Sequence, residues 1–143
     1  MAPNVEQEHE PRAGSTVVPS PLPLLTVALV VGLYAMAPGI YLGGLHVKRD
    51  AEIVDHVIPG LVVIAMVGVG LLWGVRSVTA MAYSGLLVLI AGLFMVMAHI
   101  GLFRQAINHE VARGAAAYHC STAALVFLVG ATWVWRYRQG LAD

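Results

Sequence analysis

The sequence predicts an all-α protein, a bundle of four transmembrane helices, and three observations carry that reading. Hydrophobic residues make up 59% of the 143-residue chain and charged residues only 11%, against about a quarter charged in soluble domains. The apolar residues collect in four stretches, each long enough to cross a hydrocarbon core of about 30 Å. Five of the six histidines, His46, His56, His99, His109 and His119, fall at or beside the same end of those stretches once the chain is threaded back and forth.

Taken in order, residues 1–19 carry Glu6, Glu8, Glu10 and Arg12 among prolines and glycines. They show neither a basic n-region nor a cleavage site, which argues against a cleaved signal peptide, and too little apolar surface to offset the entropy of ordering, so they read as a disordered tail. The membrane domain is expected over 20–138, with a short tail at 139–143. Its first span, about 21–45, opens at Ser20-Pro21-Leu22-Pro23, where serine caps free N–H groups and proline in the first turn loses no hydrogen bond. Pro38 lies well inside this span and predicts a kink or an early end near Ala37.

A polar turn from His46 to Glu52 leads to the second span, 57–75, with Asp55 as cap and Pro59 in the first turn. Gly74-Val75-Arg76-Ser77 is so short a return that spans two and three must be antiparallel neighbours. The third span, 78–103, is long enough to tilt or to project past the lipid boundary. Arg104 to Arg113 connects it to the fourth, 114–135. Trp73, Trp133, Trp135 and Tyr137 predict an interfacial aromatic belt at the end opposite the histidines.

Charge narrows the function classes. Eight lysines and arginines balance eight acids, so no basic surface exists to neutralise phosphates, and nucleic acid is excluded as a partner. Arg12, Arg76, Arg136 and Arg138 on one side balance Lys48, Arg49, Arg104 and Arg113 on the other. Arg76 and the Arg136/Arg138 pair sit hard against span ends, which orients a multi-pass protein of the bacterial cytoplasmic (inner) membrane with its termini cytoplasmic. The single cysteine, Cys120, forms no internal disulfide and lacks a Cys-x-x-Cys partner.

Similarity recurs at an offset of 60 residues: Gly32-Leu33-Tyr34 against Gly92-Leu93-Phe94, and Gly70, Trp73 and Arg76 against Gly130, Trp133 and Arg136. This pattern predicts two tandem helical hairpins. The stretch from Gly32 through Ala37, Pro38 and Gly39, followed by Asp55-His56-Val57-Ile58-Pro59-Gly60, resembles the SPW-repeat membrane family. Of the Ser-Pro-Trp motif only Pro38 is kept, Ala37 and Gly39 replacing the flanking residues, and the second hairpin has Ala98 at the proline position. The resemblance implies a small bacterial membrane protein, and it assigns no catalytic residue.

Small residues at helical spacing predict close helix contacts: Ala35, Gly39 and Gly43 in the first span, Gly70 and Gly74 in the second, Ala116, Cys120 and Ala124 in the fourth. One such face is equally suited to a homo-oligomer seam.

The histidines admit two readings. Neutral imidazole binds transition metals and haem iron when a carboxylate or carbonyl orients its second nitrogen. His56, His99 and His119 lie at similar depth on three spans and form a candidate site for haem b or a transition metal. Glu52, one turn before His56, is expected to hold the His56 ring in orientation without itself ligating. Histidine also suits the water–lipid interface on its own account, and no pair here has tight metal-ligand spacing. His46 and His109 read as solvated, although His46 stands four residues before Asp50; His9 lies in the tail.

A transporter mechanism needs an ionisable group in the membrane interior, and the spans offer none beyond His99 and His119 near one boundary. No nucleophile elbow, carboxylate pair or phosphate-binding loop appears. The sequence therefore predicts no enzyme but a structural or accessory subunit of a larger membrane assembly, docking through loops 46–56 and 104–113 and bound to the bilayer and a membrane-protein partner or a second copy. The alternative is a haem or metal protein in electron transfer or metal handling.

Overall fold

Helix α1 (Leu22–Ile40) begins where the Ser20 side chain accepts a long 3.4 Å hydrogen bond from the Leu22 N–H, and it runs past Pro38 to Ile40. The early end expected near Ala37 does not occur. The computed structural model describes residues 20–40, 49–73 and 76–142. His9, His46, Gly43, Gly74 and the expected continuation of the first span beyond Ile40 lie outside the described residues, as does the side chain of Gly39's neighbour Pro38.

The second rod starts earlier than its apolar core suggests. A short helix α2 (Arg49–Glu52) leads through a π-helical turn (Ile53–Val57) into α3 (Ile58–Leu72). Asp55 is therefore not a cap but part of the widened turn. Pro59 has no N–H to offer the preceding turn and its ring crowds the Asp55 carbonyl. The chain accommodates it by one wider turn, in which the Ile58 N–H bonds back to the Ile53 carbonyl.

Helix α4 (Val78–Ile107) is capped by Ser77, whose side chain accepts from the Ala80 N–H at 3.1 Å. It continues one turn beyond the expected Phe103. It ends at Asn108 with His109 in the left-handed region at φ 61°, the Glu110 N–H returning to the Gln105 carbonyl at 2.9 Å. Helix α5 (Arg113–Tyr137) follows and closes with a 3₁₀ turn (Arg138–Leu141).

The described residues are all-helical, with no strand among them. Three stretches, Asp50–Leu72, Val78–Ile107 and Arg113–Leu141, are long and apolar enough to cross a membrane, and a shorter apolar helix accompanies them. α1 packs on α3 and α5, and α4 packs on α3 and α5. The α4–α5 pair is the closest. A Cβ on Gly92 would lie 2.5 Å from the Phe127 Cα, and one on Gly130 would lie 2.5 Å from the Leu89 Cα, so these backbones touch as only glycine permits. Gly32 opposite Val63 and Gly70 opposite Leu25 bring α1 and α3 together in the same antiparallel sense.

Two expectations about faces change. The buried stripe of α5 runs through Ala116, His119, Ala123, Val126, Gly130 and Trp133, while Ala124 is exposed and Cys120 only half-buried. The aromatic belt divides: Trp73 and Trp135 point outward, at 55% and 68% exposure, but Trp133 at 0% and Tyr137 at 3% belong to the core.

Candidate metal centre

Each of the three histidines sits where its helix faces the bundle axis. His56 lies in the π-helical turn forced by Pro59, His99 on α4 one turn after Met95, and His119 on the buried stripe of α5. Their side chains are buried, with residue exposures of 0%, 7% and 4%. His99 Nε2 lies 2.8 Å from His56 Nε2, and His119 Nδ1 lies 3.1 Å from the same atom. One nitrogen from each ring thus falls within 4.8 Å of the others, close enough for all three to bind one metal ion.

On two of the rings, His99 and His56, the outer nitrogen fixes the proton. His99 Nδ1 is 2.7 Å from the Met95 carbonyl, which only accepts, so that nitrogen carries the proton and donates. Thr122 donates its hydroxyl hydrogen to the His119 carbonyl at 2.7 Å, which leaves its lone pairs to accept from His56 Nδ1 at 3.3 Å. With both outer nitrogens protonated, the two Nε2 atoms of neutral rings present lone pairs to each other. At 2.8 Å such a pair repels unless a proton or a metal ion lies between them.

Glu52 brings an oxygen to the same cluster. Its Oε2 lies 3.6 Å from both His56 Nε2 and His119 Nδ1, it is buried, and it has no hydrogen-bond partner. Helix α2 does extend outward far enough to give the one-turn spacing from Glu52 to His56. The carboxylate, however, faces the inner nitrogens and not the outer ones. Glu52 Oε2 therefore lies beside the three nitrogens, on the side of His56 and His119, while the Met95 carbonyl and Thr122 hold the outer nitrogens of His99 and His56.

A tetrahedral ion with metal–nitrogen bonds of about 2.0–2.1 Å sets its ligands roughly 3.3 Å apart. The observed 2.8 and 3.1 Å spacings both fall a few tenths of an ångström short of that, and all three nitrogens lie within 4.8 Å of one another. The rings also pack edge to face, with centroids 4.6 Å apart for His56 and His99 and 5.0 Å for His56 and His119.

The remaining histidine in the described residues behaves as a solvated side chain: His109 is exposed in the turn after α4, its Nε2 accepting from Arg113 at 2.8 Å. Cys120 borders His99 across an apolar groove but is not among the converging donors. Thr122 and the π-helical turn were the parts of the site that spacing did not single out. A hydroxyl three residues after a histidine on the same helix face is the signal that marks Thr122. Behind His119, the Tyr118 ring meets it edge-on at 5.9 Å and also meets the Tyr34 ring edge to face, the Tyr34 hydroxyl pairing with Ser121 at 3.1 Å.

Comparison of the chain with protein-family models, with curated proteins and with solved structures gives no match.

Proposed function

We propose that this protein is a small metal-binding membrane protein, crossing the bilayer four times and holding one first-row transition-metal ion near one face. His56 Nε2, His99 Nε2 and His119 Nδ1 would supply three imidazole ligands, and Glu52 Oε2 the fourth. The observation that supports this reading is the convergence of the His56 and His99 Nε2 lone pairs, His119 Nδ1 and an unpartnered carboxylate oxygen in one buried pocket, a donor set that a metal cation would hold together. Mixed imidazole and carboxylate ligands suit zinc, iron, manganese or copper(II) over the softer ions that thiolates select.

Direct contact between the rings favours a bare ion over haem b, because a macrocycle between two axial imidazoles would hold their nitrogens apart. The closed set of four protein ligands suits storage, transfer or structural use of the ion more than catalysis at an open position.

The test is to purify the protein in detergent, load it with zinc or cobalt(II), and measure bound metal and the visible spectrum. The expected result is one ion per chain, a cobalt spectrum of tetrahedral type and no Soret band, with the ion lost in His99→Ala and His119→Ala. A Soret band would replace the bare ion by haem. A colourless, metal-free chain that co-purifies with a larger complex would overturn metal binding and support an accessory subunit instead.

A further inference from the structure

Along the outer surface of the α4–α5 pair a groove runs from the turn after α4 to the metal centre. Its outer part, about 350 Å³, is bordered by Phe103, Ala106, Ile107, Arg113, Ala117 and Cys120. Its inner part, about 210 Å³, is bordered by Val96, His99, Ile100, Phe103, Cys120 and Ala124. Phe103 and Cys120 line both parts, so the two adjoin along the same helix pair. It exists because small residues on α5, Ala117, Cys120 and Ala124, lie opposite large ones on α4, away from the Gly92 and Gly130 contact where the backbones touch.

Three properties select an occupant. The groove is apolar throughout its length and opens toward the surface where Ile100, Phe103 and Ile107 are more than half exposed, the surface that lipid covers in a spanning bundle. Its length from Arg113 to Ala124 is about 16 Å at 1.5 Å per helical residue, close to the roughly 15 Å depth of one leaflet of a 30 Å core. Its one charge is cationic and stands at the mouth: Arg113, whose guanidinium is steadied by donating to His109 Nε2 at 2.8 Å. No acid lines either part, and Glu110 of the same turn accepts from the Asn108 amide at 3.4 Å.

We infer that this groove is a binding site for an anionic phospholipid, its phosphate on Arg113 and one acyl chain lying along α5 past His99, with its inner end against Val96 and Ala124. An arginine fork matches phosphate oxygens, and the neighbouring apolar walls match a hydrocarbon tail. The inference does not depend on a metal being bound.

Native mass spectrometry of the full chain in detergent, titrated with dioleoylphosphatidylglycerol or dioleoylphosphatidylcholine, tests it. The expected result is one phosphatidylglycerol retained per chain, at least about tenfold more tightly than phosphatidylcholine, the factor corresponding to about 1.4 kcal/mol. Arg113→Gln should reduce phosphatidylglycerol retention to the phosphatidylcholine level, and Ala117→Trp, at an exposed position that fills the groove, should abolish retention of both. Equal retention of the two lipids by the unaltered chain would overturn the site, as would phosphatidylglycerol retention that survives either substitution. Unchanged helical circular dichroism in Arg113→Gln separates loss of the site from loss of the fold.

Discussion

The two ends of the bundle both bury polar atoms without partners, but of opposite kinds. At the histidine end the unpartnered atom is an acceptor, Glu52 Oε2, and it faces the inner ring nitrogens of His56 and His119. At the other end the unpartnered atoms are donors or hydroxyls, Trp133 Nε1, Arg136 Nε and Tyr137 Oη. Trp133 packs its ring over Gly85, and Arg136 reaches the Ser20 carbonyl at 3.1 Å. A lone indole N–H in an apolar setting costs a modest desolvation penalty, outweighed by the area its ring fills. The His56 and His99 Nε2 lone pairs and the carboxylate crowd one pocket, where a shared proton or a metal ion relieves their repulsion. The contrast teaches that unsatisfied polarity marks a ligand site when the groups share a sign and converge, and marks ordinary packing when they do not.

Substitutions at the two ends sharpen this difference. Trp133→Ala should have the largest effect on stability, about 3–5 kcal/mol from the cavity it leaves, read as a fall in unfolding temperature in detergent with bound metal per folded chain unchanged. A loss of metal in that variant would break the separation of the two ends. Glu52→Gln should weaken metal binding by roughly a hundredfold, about one ligand's share of a four-ligand site, while the metal-free protein becomes more stable by about 1 kcal/mol because a buried charge without a partner is gone. Isothermal titration and metal-free melting report the two halves of that outcome; a less stable metal-free variant would mean that the carboxylate is held by protein donors.

Thr122→Val should have the smallest effect of the three. It removes the acceptor that orients His56 and lowers metal affinity by about ten- to a hundredfold. Thr122→Ser should restore the affinity, since the hydroxyl and its bond to the His119 carbonyl return. Equal affinities for valine and serine would show that the threonine only fills space.

Much of this was legible along the chain. Runs of apolar residues locate α1, α3, α4 and α5 because spanning lipid demands length and hydrophobicity, both one-dimensional properties. His56, His99 and His119 could be placed at one end because helices with short connections must reverse. The start of the second rod was not legible, because Arg49 to Glu52 and the π-helical turn are polar or mixed in character, and only a packed helix reaching outward holds them. The faces were the least legible. Trp133 and Trp135 stand two residues apart in one Trp-Val-Trp motif, yet one is fully buried and the other 68% exposed, since a helix turns about 200° between them.

The sequence by itself determined an all-helical chain with spans of membrane length and a histidine-rich end, because composition and periodicity act locally and need no partner. The tertiary structure decided which nitrogens meet, that Glu52 faces the inner ring atoms, and that Met95 and Thr122 set the protons. Those outcomes depend on helix rotation and on backbone contacts such as Gly92 with Phe127, and rotation about a helix axis in an almost uniformly apolar sequence is fixed only when the helices pack.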